Sequence, residues 1–352
     1  MKLVLDVEET AEVTEPLVIL MQKAKEIALL MRKSSHTIVF TGAGISAAAG
    51  IPTYRGIDGV DVVAALGGPG DLEQPTAKGK GSKGSKKRKA KEEVDPSIEA
   101  SESYLKLMPT LSHRLISDWL RDRTVHYVIT QNCGDLHARS GVPTDRLSEL
   151  HGNVFIEVCE LCATEYRRPY CVDLFSTDCS KEPWFVCCPT CRFNHFTGRQ
   201  CSKPGCRGRL RDTIVNFGDD LHATALGGLA RAEAECRRAA LALCIGSSLT
   251  VTPASELPET LPPGGAIVII NLQATGLDDR AAVRVWGEAD AVLALVREEL
   301  AAPAPDGDAA SADGAVSAAG VSSAGGGPAA PIDAAPPLSA PPLAGRRRRG
   351  AA

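Results

Sequence analysis

The stretch HTIVFTGAGISAAAGIPTYRG, His36 to Gly56, runs from an apolar, β-branched segment straight into a glycine-rich turn. HTIVF does not alternate polar with apolar residues, which predicts a strand buried on both faces. Gly42, Gly44 and Ala47 then keep the G-x-G-x-x-(G/A) spacing. Glycine permits the tight turn, so that backbone N–H groups and a following helix N-terminus can face a pyrophosphate. A dehydrogenase-type fold would add an acidic residue at the tip of the next strand, about 20 residues on. No such strand follows Gly56, and the next convincing one is VHYVI, Val125 to Ile129. A nucleotide bound at this turn is therefore expected to be held in another way.

Working outward, DTIVNF (Asp212 to Phe217), LALCIG (Leu241 to Gly246) and AIVIINL (Ala266 to Leu272) read as further buried strands. Helical spacing recurs over Leu17 to Lys33, Leu111 to Asp122, Leu226 to Ala239 and in DAVLALVREEL from Asp290. This alternation predicts an α/β fold, a doubly wound, mostly parallel, Rossmann-like sheet. Ligands of such a sheet bind beyond the carboxyl ends of its strands. TQNCGDLHARSG, Thr130 to Gly141, lies at one such end and offers Gln131, Asn132, Asp135 and His137. ELHGN, Glu149 to Asn153, adds His151, which by itself reads more readily as a structural histidine than as a catalyst; so does His137.

The chain has 352 residues, 44% of them hydrophobic, and a net charge of -4, enough for one large domain or two unequal ones. No segment has the roughly 18 consecutive apolar residues of a membrane span, and MKLVLDVEETAEVTEP is too acidic for a secretory signal. A cytosolic or nuclear location is expected. Nine of the 12 cysteines fall between Cys159 and Cys206, which in a reducing compartment points to a metal. Cys159 and Cys162 form one pair; Cys201 with Cys206, or two of Cys187, Cys188 and Cys191, could complete a tetrahedral structural site. Lys78 to Lys91 holds eight Lys or Arg in 14 positions among Gly and Ser, and from about Ala301 the chain is Ala, Pro, Gly and Ser, ending in Arg346 to Arg349. Both compositions predict disorder.

GAGIS, IPTYRG, TQN followed by LH and RSG, ELHGN, a CxxC, GSSL and INLQ occur in that order. Together they closely resemble the sirtuin family of NAD-dependent protein deacylases, from about Glu26 to Leu300. HGNVFIEVC, GRQC and LRDTIVNFGD are most similar to its nuclear branch, class IV. The resemblance implies that an acyl-lysine carbonyl attacks the ribose C1′ as nicotinamide leaves, with His151 as general base and Asn132 beside it. It implies NAD contacts from Gly42, Ala43, Gly44, Ser46, Tyr54, Arg55, Gln131, Asn132, Asp135, Gly246, Ser247, Ser248, Asn271, Leu272, Gln273, Glu288 and Ala289. Val215, Asn216, Phe217 and Gly218 would pair with the peptide as an added strand. The similar proteins place the second cysteine pair just before the LRDT-like strand, which favours structural Zn2+ on Cys159, Cys162, Cys201 and Cys206 and leaves Cys187, Cys188 and Cys191 on an enlarged insertion.

The implied organisation is an N-terminal extension (1–25), an NAD-binding domain in two parts (26–157 and 211–300), a zinc module (158–210) and a tail (301–352). A basic insert, 68–100, interrupts the first part. The expected partner is an acyl-lysine protein, a histone or other nuclear protein, in the nucleus or nucleolus, with non-specific nucleic-acid contact through the basic runs. Three positions depart from the family pattern. Thr53 replaces an Asp, Asp61 a Trp, and Gly134–Asp135 reverses the usual Asp–Gly order that brings a carboxylate to nicotinamide. Alternative readings are a degenerate sirtuin that senses NAD or ADP-ribose or acts as a scaffold, a mono-ADP-ribosyltransferase, and a zinc-ribbon nucleic-acid binder.

Overall fold

The computed structural model describes residues 11–51, 105–172, 188–191, 193–219, 221 and 228–303. Thr53, Tyr54, Arg55, Asp61, Cys187, the basic insert and the tail from residue 304 lie outside the described residues. In chain order the strands are β1 (Thr37–Thr41), β2 (Tyr127–Thr130), β3 (Leu147–Glu149), β4 (Ile156–Cys159), β5 (Glu165–Arg167), β6 (Phe196–Gln200), β7 (Arg209–Asp212), β8 (Leu241–Ile245), β9 (Ala266–Ile270) and β10 (Val283–Val285). The α-helices are α1 (Leu17–Lys33), α2 (Leu111–Arg121), α3 (Leu136–Arg139), α4 (Gly228–Cys236) and α5 (Ala289–Ala301).

Six strands form a parallel sheet in the order β10-β9-β8-β1-β2-β3. The chain starts at the centre, runs outward through β2 and β3, then returns to β8 beside β1 and runs outward the other way. The β1/β8 gap is thus the topological switch point, where the loops diverge and leave a crevice.

Each face of this sheet has its own apolar core. Val39 of β1 packs with Leu243, Val268, Ile27 of α1, Ile116 and Leu120 of α2 and Val296 of α5. Its neighbours Ile38 and Phe40 pack on the other face with Ala242, Ile269 and Ala232 and Cys236 of α4. Burial on both faces is the reason HTIVF shows no alternation, and every residue of β1 is buried. Helix ends are satisfied from elsewhere in the fold. Thr110 caps α2 and Asp290 of α5 accepts from the Leu111 and Ser112 N–H groups, placing a carboxylate on the positive end of α2.

β5, β4, β7 and β6 form a second, antiparallel sheet in that order. This corrects the reading of DTIVNF as a strand of the parallel sheet. Only Asp212 of that stretch is in a strand, β7, and Thr213 to Phe217 form none. Thr213 is instead fastened to Asn153, its Oγ1 donating to the Asn153 carbonyl and accepting from the Asn153 N–H, both at 3.0 Å. The glycine turn also leads into a 3-10 helix, Ala43–Ala49, in place of a regular α-helix. Strands β3 and β10, three residues each, lack a run long enough to be read from the sequence. Among the described residues, no helix is long and apolar enough to cross a membrane.

Candidate active site and metal centre

The loops after β1 and β8 press together at the switch point. Gly44 donates its N–H to the Gly246 carbonyl (2.8 Å) and Gly42 to that of Ile245 (3.1 Å). A Cβ on Gly42 would stand 2.7 Å from the Gly246 oxygen, and one on Gly44 2.7 Å from the Gly246 Cα. The glycines here are required by loop-to-loop packing, which sets the width of the crevice. The loop after β2 closes on the same point: Asn132 Nδ2 donates to the Gly42 carbonyl (2.9 Å), and Ser247 Oγ donates to Gln131 Oε1 (2.7 Å). Ser46 is buried and Ala43 half-buried beside them. Ser248 pairs with Thr250. After β9, Asn271 Nδ2 donates to the Gln273 carbonyl and Leu272 accepts from the Val13 N–H. Glu288 is exposed at the start of α5, followed by half-buried Ala289. Amide and hydroxyl groups from four adjacent strand ends thus converge, a donor set suited to phosphates and ribose.

His151 lies between this crevice and the segment after β7. Its ring is held below its usual pKa by burial, partly offset by a hydrogen bond to the Gln131 backbone, so it is neutral near pH 7. Its carbonyl accepts from the Val215 N–H (3.1 Å) and the Cys133 thiol (3.2 Å). Gly152, at φ 84°, makes this junction possible, because a Cβ there would stand 1.9 Å from the Thr213 carbonyl oxygen. Beyond Val215, Phe217 is 82% exposed. An apolar ring left in solvent next to unladdered backbone suits an added peptide strand. His137 has a different place: it is buried, with Nε2 2.9 Å from Thr41 Oγ1 and its ring tilted 52° against that of His113, centroids 4.7 Å apart. Burial holds it well below its usual pKa, so it is a neutral structural group.

Asp135 adopts φ 64°, while Gly134 before it has open space where a side chain would project. The Asp135 carboxylate accepts from Asn153 Nδ2 (2.7 Å) and pairs with Arg167 of β5. Asn153 Nδ2 also donates to Glu149 Oε1 at 2.7 Å. Glu149 is pushed up to about 7, chiefly by burial, with the Asp135 charge adding and the Asn153 bond opposing. The sequence did not suggest this network, since Arg167 has no local pattern linking it to Asp135.

The two cysteine pairs come together. Cys159 and Cys206 sulfurs are 3.6 Å apart, as are those of Cys162 and Cys201, and all four lie within 4.8 Å of one another. Four thiolates on tetrahedral zinc, with bonds of about 2.3 Å, would stand about 3.8 Å apart. Gly208 lets the chain pass the cluster, as a Cβ there would lie 2.4 Å from the Cys159 sulfur. A second group, Cys188, Cys191, His195 and Asp219, gathers where the insertion meets the segment after β7. Its signal in the sequence was C-x2-C-x3-H.

A parallel sheet with its reversal at the glycine loops, joined to a cysteine-rich antiparallel module, defines a Rossmann-like α/β protein with a cysteine-rich insertion. The chain belongs to the Sir2 family, whose family model matches residues 42–253. It is 36% identical over 291 residues to "NAD-dependent protein deacetylase SRT1" of Arabidopsis thaliana, covering 82% of this chain and 52% of that protein. To "NAD-dependent protein deacetylase sirtuin-7" of Homo sapiens it is 35% identical over 292 residues, covering 80% and 61%. The chain thus spans about half to three-fifths of the length of these relatives. The solved structure "Sir2-p53 peptide-NAD+" superposes with a TM-score of 0.51 and 27% identity, covering 78% of this chain and 97% of that one. "Structural Basis for the Mechanism and Regulation of Sir2 Enzymes" gives 0.50 and 27%, covering 79% and 98%.

Proposed function

We propose that the protein is an NAD-dependent protein lysine deacylase, removing acetyl or related groups and releasing nicotinamide and O-acyl-ADP-ribose. The observation that carries this reading is the position of His151, tied through Gln131 to the nucleotide loops and through Val215 to the candidate peptide segment. NAD, when bound, supplies the ribose carbon that receives the acyl oxygen. Gly42, Ala43, Gly44 and Ser46 would bind its phosphates, Gln131 and Asn132 the nicotinamide ribose, and Gly246, Ser247, Ser248, Asn271, Leu272, Gln273, Glu288 and Ala289 the adenosine. Tyr54 and Arg55 would cover that ribose. Asp135 would act beside Asn153. His151 would take a ribose hydroxyl proton, which its neutral ring can accept. Val215, Asn216, Phe217 and Gly218 would hold the acyl-lysine peptide.

The metal on Cys159, Cys162, Cys201 and Cys206 would be zinc, and four thiolates leave no open position, so it would hold the module and take no part in bond breaking. KKRKAK, Lys86 to Lys91, favours nuclear import, and with it a histone or other nuclear protein as substrate.

The test is mass-spectrometric detection of O-acyl-ADP-ribose from NAD and an acetyl-lysine peptide. His151→Ala is expected to lower turnover about 10²–10⁴-fold with NAD affinity changed only a few-fold. Activity should fall on the acid side as His151 gains a proton, with that limb below pH 6.5. NAD binding without product would favour the sensor reading, and full turnover by the His151 variant would overturn the assignment.

A further inference from the structure

We propose that the protein carries a second structural zinc site, formed by the Cys188 and Cys191 thiolates, His195 Nε2 and the Asp219 carboxylate. The four donor atoms lie within 4.8 Å of one another. Cys191 Sγ is 3.2 Å from His195 Nε2, Cys188 Sγ is 3.2 Å from Asp219 Oδ1, and His195 Nε2 is 3.4 Å from Asp219 Oδ2. Tetrahedral zinc with bonds of about 2.0–2.3 Å sets mixed S, N and O donors about 3.4–3.6 Å apart. The cluster would open by only a few tenths of an ångström to admit the ion.

The surroundings are those of a built site. His195 is buried, and its Nδ1 is held by Asp212 Oδ1 at 2.8 Å. That bond keeps a proton on Nδ1 and turns the Nε2 lone pair into the cluster, the carboxylate–histidine arrangement that orients metal ligands. Asp212 is itself fixed by the Ile214 N–H (3.1 Å). The Phe193 N–H points at Cys191 Sγ (3.5 Å), as the Leu161 N–H points at Cys159 Sγ (3.4 Å) in the four-cysteine cluster. Both are contacts from the residue two beyond a cysteine, which stabilise a thiolate. The Asp219 carboxylate is held by the Asn216 N–H and Thr190 Oγ1, both at 2.9 Å. Gly218, at φ 98°, lets the chain pass close to the Thr190 carbonyl and bring Asp219 in.

Two thiolates, one carboxylate and a neutral imidazole around Zn2+ leave a net charge of -1 and no vacant position, so the site is structural. Its ligands come from both sides of β6 and β7. The ion would staple the insertion to the loop carrying Val215 to Gly218, so the shape of the candidate peptide groove would depend on it. This last consequence rests on the deacylase reading; the metal site does not.

Metal analysis of the full chain by inductively coupled plasma mass spectrometry is expected to give about two zinc ions per chain. Cys191→Ser and His195→Ala should each lower this to about one, Cys201→Ser should remove the other, and Cys187→Ser should leave both. In the deacylation assay Asp219→Asn should raise the peptide KM several-fold while the KM for NAD stays unchanged. Should the variants not fold, titration of the metal-free full chain with Co2+ decides. Two equivalents, with a weaker thiolate charge-transfer band for one than for a four-thiolate site, support the proposal. One zinc or one Co2+ per chain, unaltered by Cys191→Ser and His195→Ala where these fold, or a Cys188–Cys191 disulfide in freshly purified protein, overturns it. A second zinc with unchanged peptide KM would keep the site and remove only its link to substrate.

Discussion

At the scale of the residue, the Gly134–Asp135 pair couples backbone to function. The left-handed position carries Asp, a conformation that costs an L-residue about 1–2 kcal/mol, while Gly134 stands where no positive φ is needed. The Asp135 carboxylate is engaged by Asn153 and Arg167. Gly134→Asp with Asp135→Gly would relieve the strain and send a carboxylate into the open space at 134. It is expected to lower the KM for NAD and tighten nicotinamide inhibition, by about 10- to 150-fold for one charged hydrogen bond. Identical kinetics would mean that Asp135 already serves from its present place. Glu149 gives a pH test in the same network. Its carboxyl is raised to about 7 from an ordinary 4.5, so between these values the folded chain holds a proton that the unfolded chain has released. Stability contributed by this group therefore falls as pH rises through that window. Glu149→Gln should match the wild type below about pH 4.5 and exceed it by about 3 kcal/mol above pH 7, measured by urea unfolding.

At the scale of the element, the small sheet is organised around charge as well as apolar packing. Glu157 of β4 is fully buried and accepts from Arg168 Nε (2.6 Å), Arg199 Nε (2.8 Å) and Thr197 Oγ1 (2.6 Å). It joins β6 to β4 across β7, which no residue of β4 could do by backbone pairing. Glu157→Ala would remove the carboxylate that the Arg168 and Arg199 guanidinium groups share. Because both arginines are about one quarter exposed, the cost is expected to be about 2–3 kcal/mol, below that of a fully buried pair. Chemical denaturation should register it, and Glu157→Gln, which keeps the acceptor oxygen, should lose less. This role is not legible in the sequence, because a Glu at an alternating strand position reads as solvent-facing until β6 and β7 are laid beside it.

At the scale of the whole molecule, the two sheets draw their stability from different sources. The parallel sheet rests on two apolar cores, whereas the small sheet has the short apolar cluster Cys159, Cys201 and Leu210, with Cys162 and Cys206 packed against it. Cys201→Ser, by breaking the proposed four-cysteine zinc site, is expected to remove amide-exchange protection from β4 to β7 while β1 and β8 stay protected, measured by hydrogen–deuterium exchange. Equal protection throughout would place the stability of the module in its protein contacts alone. The sequence by itself determined the four central strands of the parallel sheet, β9, β8, β1 and β2, and its glycine loops, because uninterrupted apolar runs and G-x-G spacing act over a few residues and answer to backbone sterics and burial. The pairing Cys159 with Cys206 and Cys162 with Cys201 spans 47 and 39 residues, and spacing alone left rival cysteines open. Tertiary structure decided which thiols converge. It also took Thr213 to Phe217 out of the parallel sheet, turned Asp135 toward Arg167 and gathered Cys188, Cys191, His195 and Asp219. Each of these depends on contacts between segments far apart in the chain, whose geometry no local periodicity encodes.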